Sequence, residues 1–171
     1  MARHVHEPSR QPGYAGRQRA VQGTLRRDLA VGIEKRGGGG GGRRGLARVD
    51  HAVVLGACID VQRQLGIHCM EVDYQRALAL ALRERNLDCE REVDVPIAYN
   101  GVVVTTRRVD FVVRDMSSEL IVETKARSVI LDEDIEQCLL YLHQGGYEVC
   151  LLVNFGQKPL GIRRLVHTPQ R

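Results

Sequence analysis

Hydrophobic positions in the first ordered part of the chain recur every three or four residues. Between Asp50 and Leu65 this period predicts a helix that Asp50 caps and Gly66 ends. The period returns from Glu71 to Arg85, which predicts a second helix. Glu71 stands in its first turn, where a carboxylate complements the helix dipole. Two consecutive helices are therefore expected at the start of the fold.

The period then changes to two, which is typical of strands. Alternation predicts a first strand over Cys89–Ala98, and Asn100-Gly101 suits the tight turn of a hairpin. The second strand is predicted over Val102–Val113, where Val109, Phe111 and Val113 alternate with Asp110 and Val112. A third follows a polar turn and ends at Lys125. Three strands in succession are expected here.

The remaining pattern predicts a third helix from Asp132 to Gln144, stopped by Gly145-Gly146, and two more strands over Glu148–Phe155 and Gly161–Val166. The predicted order is α-α-β-β-β-α-β-β. A helix between the third and fourth strands allows a right-handed crossover between parallel strands. The expected fold class is α/β (α+β), a mixed β-sheet flanked by helices.

The positive charge of the chain is confined to its N-terminal part. The 171 residues carry a formal net charge of +4. Residues 1–48 hold 11 Lys/Arg against 3 Asp/Glu, a net of +8, whereas residues 49–171 have a net of −4. Residues 1–48 also contain the glycine run 37–42 and no sustained apolar period, so we predict a disordered basic Gly/Arg-rich arm. The arm is either an electrostatic aid to nucleic-acid binding or a dispensable extension.

The cysteines and the hydropathy indicate a soluble protein of a reducing compartment. Five cysteines, an odd number with no Cys-x-x-Cys pair, read as free thiols. No apolar run is long enough for a membrane span, and the N-terminus lacks a secretory apolar segment. We therefore expect a cytoplasmic location and no membrane partner.

The stretch from Arg107 to Arg127 carries the candidate chemistry. If its two strands pair as a hairpin, Asp110 lies beside Glu123, and Glu123 shares a face with Lys125. Two carboxylates and an ammonium at one end of a sheet suit a hard divalent metal and an attacking water. The alternative is an amphipathic hairpin whose charges are simply solvated.

Several spaced motifs then carry a family resemblance. The segment Leu65–Tyr74 reads Leu-Gly-Ile-His-Cys-Met-Glu-Val-Asp-Tyr, and it is followed by Arg-Val-Asp-Phe at 108–111 and Val-Glu-Thr-Lys at 122–125. Gln-Cys-Leu-Leu-Tyr at 137–141 and Asn-Phe-Gly at 154–156 come next. The chain from Val49 to Val166 resembles the GxxExxY proteins, assigned to the PD-(D/E)XK nuclease superfamily. His68 replaces the glycine that names the motif, at a position suited to positive φ.

The resemblance implies a restriction-endonuclease-like domain over residues 49–171 with a metal-dependent site. It implies that Asp110, Glu123 and the Thr124 backbone carbonyl bind Mg²⁺ or Mn²⁺, with Glu71 as a further ligand. Lys125 positions or activates the attacking water in this family, and a glutamine such as Gln137 supports the site.

The expected function is phosphodiester hydrolysis in DNA or RNA by a Mg-dependent nuclease. Phosphate contacts are expected from Arg108, Arg127 and the basic arm, although either arginine could instead be solvated or ion-paired. The alternative is a catalytically inactive module of the same fold that binds nucleic acid or a protein partner. The intact set of Asp110, Glu123 and Lys125 favours the enzyme.

Overall fold

The computed structural model of the protein describes residues 49–115 and 118–167. The predicted arm, residues 1–48, lies outside the described residues. The predicted element order is confirmed: α1 His51–Leu65, α2 Glu71–Glu84, β1 Asp88–Tyr99, β2 Val102–Arg114, β3 Glu119–Lys125, α3 Asp132–Gly145, β4 Val149–Asn154 and β5 Gly161–Val166. None of the three helices in these ranges is long and apolar enough to cross a membrane.

Local signals in the sequence set the ends of these elements. Asp50 Oδ1 accepts a hydrogen bond from the Ala52 backbone N–H at 2.8 Å, which caps α1. Gly146, at φ +71°, ends α3 in the left-handed conformation. Asn100 and Gly101 both have positive φ, +50° and +79°, as the predicted hairpin turn requires.

The five strands form one mixed sheet in the order β1-β2-β3-β4-β5. The pair β3–β4 is parallel and the other neighbours are antiparallel. Helix α3 supplies the crossover that a parallel pair needs. The mixed α+β architecture expected from the sequence is therefore the one observed.

Helices cover both faces of the sheet and create two hydrophobic cores. One core joins α1 and α2 to the sheet through Val54, Leu78, Phe111, Val122 and Val153. The other joins α3 to the opposite face, where its central members are Val95, Ile121, Tyr141, Leu142 and Leu152. Strands β3 and β4 are consequently buried on both sides, which explains their continuous apolar runs.

The alternation along β2 is broken at Asp110. Phe111 and Val113 pack in the core of α1 and α2, as alternation predicts, but Val109 packs in the core of α3. The sequence-based expectation that Val109 shares their face is therefore wrong. On β1, Glu92 lies between the partners of Val109 and Phe111 and has φ +54°, so both strands bend at the same level.

The same level is where β2 separates from β3. The β2–β3 ladder runs only from Phe111–Val122 to Arg114–Glu119. Beyond it, β2 pairs with β1 alone, whereas Glu123 to Lys125 pair with β4. We call this divergence the fork, defined by Asp110 on β2 and Glu123 on β3. At the fork β2 and β3 no longer pair with each other, although Glu123, Thr124 and Lys125 remain buried.

We predict that a chain beginning at Val49 folds without residues 1–48. Within the described residues the members of both cores form a complete helix–sheet–helix packing from Val49 onward, and the Val49 backbone N–H donates to Ser118 Oγ at 2.8 Å. Its thermal unfolding midpoint should lie within about 3 °C of the full chain. A chain beginning at Leu55, which lacks the buried Val49 and Val54, is the control and should unfold at a much lower temperature. Loss of cooperative unfolding in the Val49 chain would show that the arm belongs to the core.

Candidate active site at the fork

Asp110 is fixed at the fork by the strand opposite. The Thr124 backbone N–H donates to Asp110 Oδ2 at 2.8 Å, and Thr124 Oγ1 donates to the same oxygen at 2.5 Å. The Gln75 side chain of α2 donates to Thr124 Oγ1 at 3.1 Å. This chain of hydrogen bonds ties Asp110 to β3 and to α2 although β2 and β3 no longer pair there. The predicted proximity of Asp110 and Glu123 is confirmed, because the Asp110 N–H lies 3.5 Å from Glu123 Oε2.

Glu123 and Lys125 form a buried ion pair. Both side chains are almost inaccessible to solvent, and Lys125 Nζ donates to Glu123 Oε1 at 2.8 Å. Burial, followed by the charge of Asp110, raises the pKa of Glu123 to about 7, and Lys125 offsets only part of this. Burial lowers the pKa of Lys125, but the Glu123 carboxylate outweighs it and the pKa lies above its ordinary value. For Glu123 and Lys125 the alternative of simply solvated charges is therefore wrong, whereas Arg107 and Arg108 are exposed.

Glu71 reaches the fork from the first turn of α2. Burial raises the pKa of Glu71, Lys125 lowers it and Asp110 raises it again, so the three side chains share one electrostatic environment. The Ala126 backbone amide also lowers the pKa of Glu71 by hydrogen bonding. The structure thus brings Glu71 to the side of the site that faces the end of β3.

Tyr74 fixes the loop that leads into Glu71. Its hydroxyl donates to the Gly66 carbonyl at 2.9 Å and accepts from the Cys69 backbone N–H at 3.2 Å. Its ring stacks on Phe155 at 4.7 Å between centroids. The replacement at His68 causes no backbone conflict, because His68 is not among the described residues with positive φ and Gly66 takes that conformation at +75°.

Gln137 lies on α3 and is linked to the site through Tyr141. Its side-chain amide donates to the Tyr141 hydroxyl at 2.6 Å, and that hydroxyl donates to the Arg108 carbonyl at 2.9 Å. Burial and then the charge of Glu123 raise the pKa of Tyr141 to about 12, so its hydroxyl stays protonated. Gln137 and Tyr141 therefore connect α3 to β2 immediately before the fork.

Asn154 shapes the chain that leaves β3 beside the site. The buried amide accepts from the Arg127 backbone N–H at 3.0 Å and donates to the Arg127 carbonyl at 2.8 Å. Gly156 lies so close that a Cβ there would come within 2.6 Å of the Arg127 backbone nitrogen. The Asn-Phe-Gly motif thus holds the backbone of the segment that follows Lys125 in place.

A cleft of about 430 Å³ opens on the α3 side of the fork, lined by Arg107, Lys125, Arg127, Glu133, Asp134, Glu136, Gln137, Leu140 and Tyr141. Arg127 contributes its guanidinium while paired with Glu133 at 3.2 Å and Asp134 at 3.4 Å. Arg108 does not line the cleft and is ion-paired with Asp94 at 3.1 Å, so the ion-paired alternative holds for it. Arg107, one residue earlier, lines the cleft in its place.

The donor set at the fork fits a hard divalent cation. The carboxylates of Asp110 and Glu123 and the Thr124 carbonyl are oxygen donors, the type that Mg²⁺ and Mn²⁺ prefer. Burial and then the charge of Asp110 raise the pKa of Glu123 to about 7 despite Lys125, and a bound cation would lower that pKa. Within residues 49–115 and 118–167, no three His, Cys, Asp or Glu side chains stand together as a preformed metal cluster. A metal would thus rest on two carboxylates and a carbonyl.

Two supporting residues were not recognised from the sequence as part of the site. The sequence shows Tyr141 and Asn154 only as members of motifs, yet each makes hydrogen bonds that position a strand end. The available signal was a buried polar residue within an apolar run, since such a residue must find partners. Arg127, the partner of Asn154, lies 27 residues away in the chain, and Arg108, the partner of Tyr141, lies 33 residues away.

One family model and one solved structure are similar to this chain. The family model described as the PD-(D/E)XK nuclease superfamily matches residues 49–165. Among curated proteins, none matches the chain. One similar solved structure is that of SSO0001, with 21% identity and a TM-score of 0.44 over 59% of this chain. The match covers 52% of that chain, so the present chain spans about half its length.

We predict that Lys125→Met destabilises the protein in a pH-dependent way. The folded-state pKa of Glu123 is already raised to about 7 and rises further without its cation. Stability linked to a raised carboxyl pKa is fully present below the unfolded-state pKa and is lost as pH increases through the folded-state pKa. The variant should therefore lose roughly 3 kcal/mol at pH 8, where a buried charge lacks its partner. At pH 5 the loss should be below about 1 kcal/mol, because Glu123 is then neutral.

Denaturant unfolding at both pH values measures this difference. Lys158→Met is the matched control, since Lys158 is exposed on the loop before β5, and it should change stability little at either pH. An equal loss at pH 5 and pH 8 for Lys125→Met would contradict the assignment of an uncompensated Glu123 charge.

Proposed function

The chain belongs to the PD-(D/E)XK nuclease superfamily, and from this premise we propose that it is a metal-dependent nuclease hydrolysing phosphodiester bonds in DNA or RNA. The observation that carries the proposal is the buried Glu123–Lys125 pair beside Asp110 at the fork. A pair with no role beyond stability would be replaceable by apolar residues at little cost. Lys125 of this pair lines the cleft, which favours chemistry.

In this proposal Asp110, Glu123 and the Thr124 carbonyl hold Mg²⁺ or Mn²⁺, and Glu71 contributes a ligand or holds a bound water. The ion, when present, supplies Lewis-acid polarisation of a phosphate oxygen and a lowered pKa of water. The Thr124 N–H and hydroxyl both donate to Asp110. These two hydrogen bonds hold Thr124, and therefore its carbonyl, in one position.

Lys125 acts as a cation in this mechanism, not as a proton acceptor. Its pKa lies above the ordinary value, so the ammonium keeps its charge at neutral pH. Held 2.8 Å from Glu123, it can orient the attacking water and stabilise the negative charge that develops on the phosphate oxygens. Gln137 supports this arrangement indirectly, by fixing the Tyr141 hydroxyl that holds β2.

Arg107 is the cationic side chain of the cleft best placed to receive a phosphate. Arg127 is turned toward Glu133 and Asp134, which offset most of its charge. The Arg107 guanidinium donates a hydrogen bond to the neutral Thr105 hydroxyl at 3.4 Å. We therefore assign the main phosphate contact in the cleft to Arg107, with Arg127 secondary, and non-specific attraction to the basic arm.

We further assign the chain to the GxxExxY proteins and its activity to the cytoplasm. The subfamily assignment is supported by Glu71 and Tyr74, which play complementary parts at the start of α2. The location is supported by the cysteines, all five of which are free thiols.

A binding module without catalysis is the second candidate. The observation in its favour is the neutralised cleft, in which Glu133, Asp134 and Glu136 offset Arg107, Lys125 and Arg127. Such a module would bind nucleic acid or a protein partner while retaining the fork for structural reasons. A measurement of substrate turnover distinguishes this binding module from the enzyme.

We predict that the purified protein cleaves DNA or RNA in the presence of Mg²⁺ or Mn²⁺ and not in EDTA. Asp110→Asn and Lys125→Met should each lower the rate by at least about a hundredfold, because one removes a metal ligand and the other a stabilising cation. Gel analysis of single- and double-stranded substrates measures this. Asp94→Asn, on the adjoining strand and outside the cleft, is the control and should retain activity. Binding without metal-dependent cleavage would favour the module.

We predict that the arm dominates the salt dependence of nucleic-acid binding. Residues 1–48 carry a net +8 on an otherwise acidic chain, so their removal should flatten the slope of log K against log salt concentration. Arg107→Gln in the full chain should reduce the slope by only about one phosphate contact. An unchanged slope after removal of the arm would place the phosphate contacts on the domain.

A further inference from the structure

Arg127 lines the cleft from a backbone that is held on both sides. The Asn154 side chain accepts from the Arg127 N–H at 3.0 Å and donates to the Arg127 carbonyl at 2.8 Å. The Arg127 side chain is 37% exposed, so ligands in the cleft can reach its guanidinium. Lys125, two residues earlier, lines the same cleft. Arg127 is therefore a fixed cation beside the group to which we assign the reacting phosphate.

Asp134 is a rigid partner of this guanidinium. Its side chain is only 3% exposed, and Asp134 Oδ1 lies 3.4 Å from Arg127 Nη1. The other oxygen, Oδ2, accepts from the Leu131 backbone N–H at 2.9 Å, and the Asp134 N–H donates to the Leu131 carbonyl at 3.1 Å. These reciprocal bonds close the first turn of α3. Asp134 cannot move away without opening that turn, so it holds the Arg127 guanidinium in place.

Glu133 is a loose partner of the same nitrogen. Its side chain is 71% exposed, and Glu133 Oε1 lies 3.2 Å from Arg127 Nη1. Among residues 49–115 and 118–167, Arg127 is the only one that the Glu133 carboxylate pairs or bonds with. An ion pair between two side chains this exposed contributes little to stability. Glu133 can therefore leave Arg127 without breaking any other contact of its carboxylate.

The Arg127 guanidinium has donors left for a further ligand. Both of its ion pairs use Nη1, and no acceptor in the described part of the chain contacts Nε or Nη2. A guanidinium presents its N–H donors as a planar fork, which matches the oxygens of a phosphate. A phosphate can thus take the place of Glu133 while Asp134 keeps its own contact.

We propose that Arg127 is a second phosphate-binding residue of the cleft, and that a substrate phosphate displaces Glu133 from it while Asp134 stays. This role rests on the proposed function, because it adds a contact for the same substrate. Arg107 and Arg127 both line the cleft, and the reacting phosphate is assigned to the fork. The ligand is therefore a polynucleotide strand, which offers several phosphates at once, and not a free nucleotide.

The chemistry of the exchange favours a phosphate of a bound strand. The group that replaces Glu133 must be an anion, since a neutral ligand would leave the charge of Arg127 less compensated than before. The non-bridging oxygens of a phosphodiester share a negative charge and can bind a guanidinium fork bidentately. A strand already held at the fork presents its next phosphates at a high effective concentration. Such a strand can displace a weak internal partner such as Glu133.

A double-mutant cycle on oligonucleotide binding tests the proposal. Fluorescence anisotropy gives the Kd of the full chain for single-stranded and duplex oligonucleotides, in EDTA and at a salt concentration that suppresses attraction by the arm. Glu133→Gln should lower the Kd about fivefold, because Arg127 no longer has to be released. In the Arg127→Gln chain the same change should alter the Kd less than about twofold. Asp132→Asn is the matched control, since Asp132 neither lines the cleft nor pairs with Arg127, and it should also have less than about a twofold effect.

Thermal unfolding of each variant verifies that the fold persists. If Arg127→Gln does not fold, because Asp134 has lost its cation, Arg127→Lys takes its place in the cycle. Its single ammonium can stay with Asp134 but offers no fork to a phosphate, so Glu133→Gln should again have less than about a twofold effect.

An equal decrease in Kd for Glu133→Gln and Asp132→Asn overturns the proposal, because Glu133 would then act only by general repulsion. An equal decrease with and without Arg127, or an increase in Kd for Glu133→Gln, also overturns it. A wild type that binds neither oligonucleotide overturns the proposed function as well. Binding without coupling between Arg127 and Glu133 overturns the displacement of Glu133 alone and leaves the proposed function standing.

Discussion

A carboxylate buried where two strands separate is the constraint around which this protein is built. Glu123 lies inside the sheet at the fork, where removal from water strongly disfavours its charge. Lys125 offsets part of that penalty, and Asp110 adds to it. The pair is held in place by β3, which is buried on both faces and hydrogen-bonded to β4. A second cation near Asp110 would complete the compensation, which is the physical basis of the metal-dependent proposal.

The elements around the fork hold it in one geometry. Tyr74 anchors the entry to α2 and hence Glu71, Asn154 clamps the backbone after Lys125, and Tyr141 ties α3 to β2. Each anchor is a buried or half-buried polar group whose hydrogen bonds reach a strand end or a loop. Such anchors limit the movement of the carboxylates, and preorganised charges stabilise a transition state better than mobile ones. The sequence motifs around the site are thus mostly supports, and only a few of their residues touch the cleft.

The sequence predicted the elements and the proximity of Asp110 to Glu123, because both follow from local periods of 3.6 and 2. It did not predict the bend at Asp110, which places Val109 in the other core, or the end of the β2–β3 ladder. Those features depend on how three strands twist past one another. The same limit explains why Arg108 was favoured over Arg107: a one-residue difference decides which side of the ribbon an arginine occupies. Long-range partners such as Asn154 and Arg127 leave no periodic signal.

The central claim is that the fork binds a divalent metal through Glu123 and Asp110, and calorimetric titration of Mn²⁺ tests it most directly. Titrations near pH 6.5 in two buffers of different ionisation enthalpy report both binding and proton release. Because the pKa of Glu123 is about 7, metal binding should displace a large fraction of one proton at that pH. The account predicts one site with proton release in the wild type, and loss of both in Glu123→Gln. Absence of binding, or binding that Glu123→Gln leaves unchanged, would contradict it.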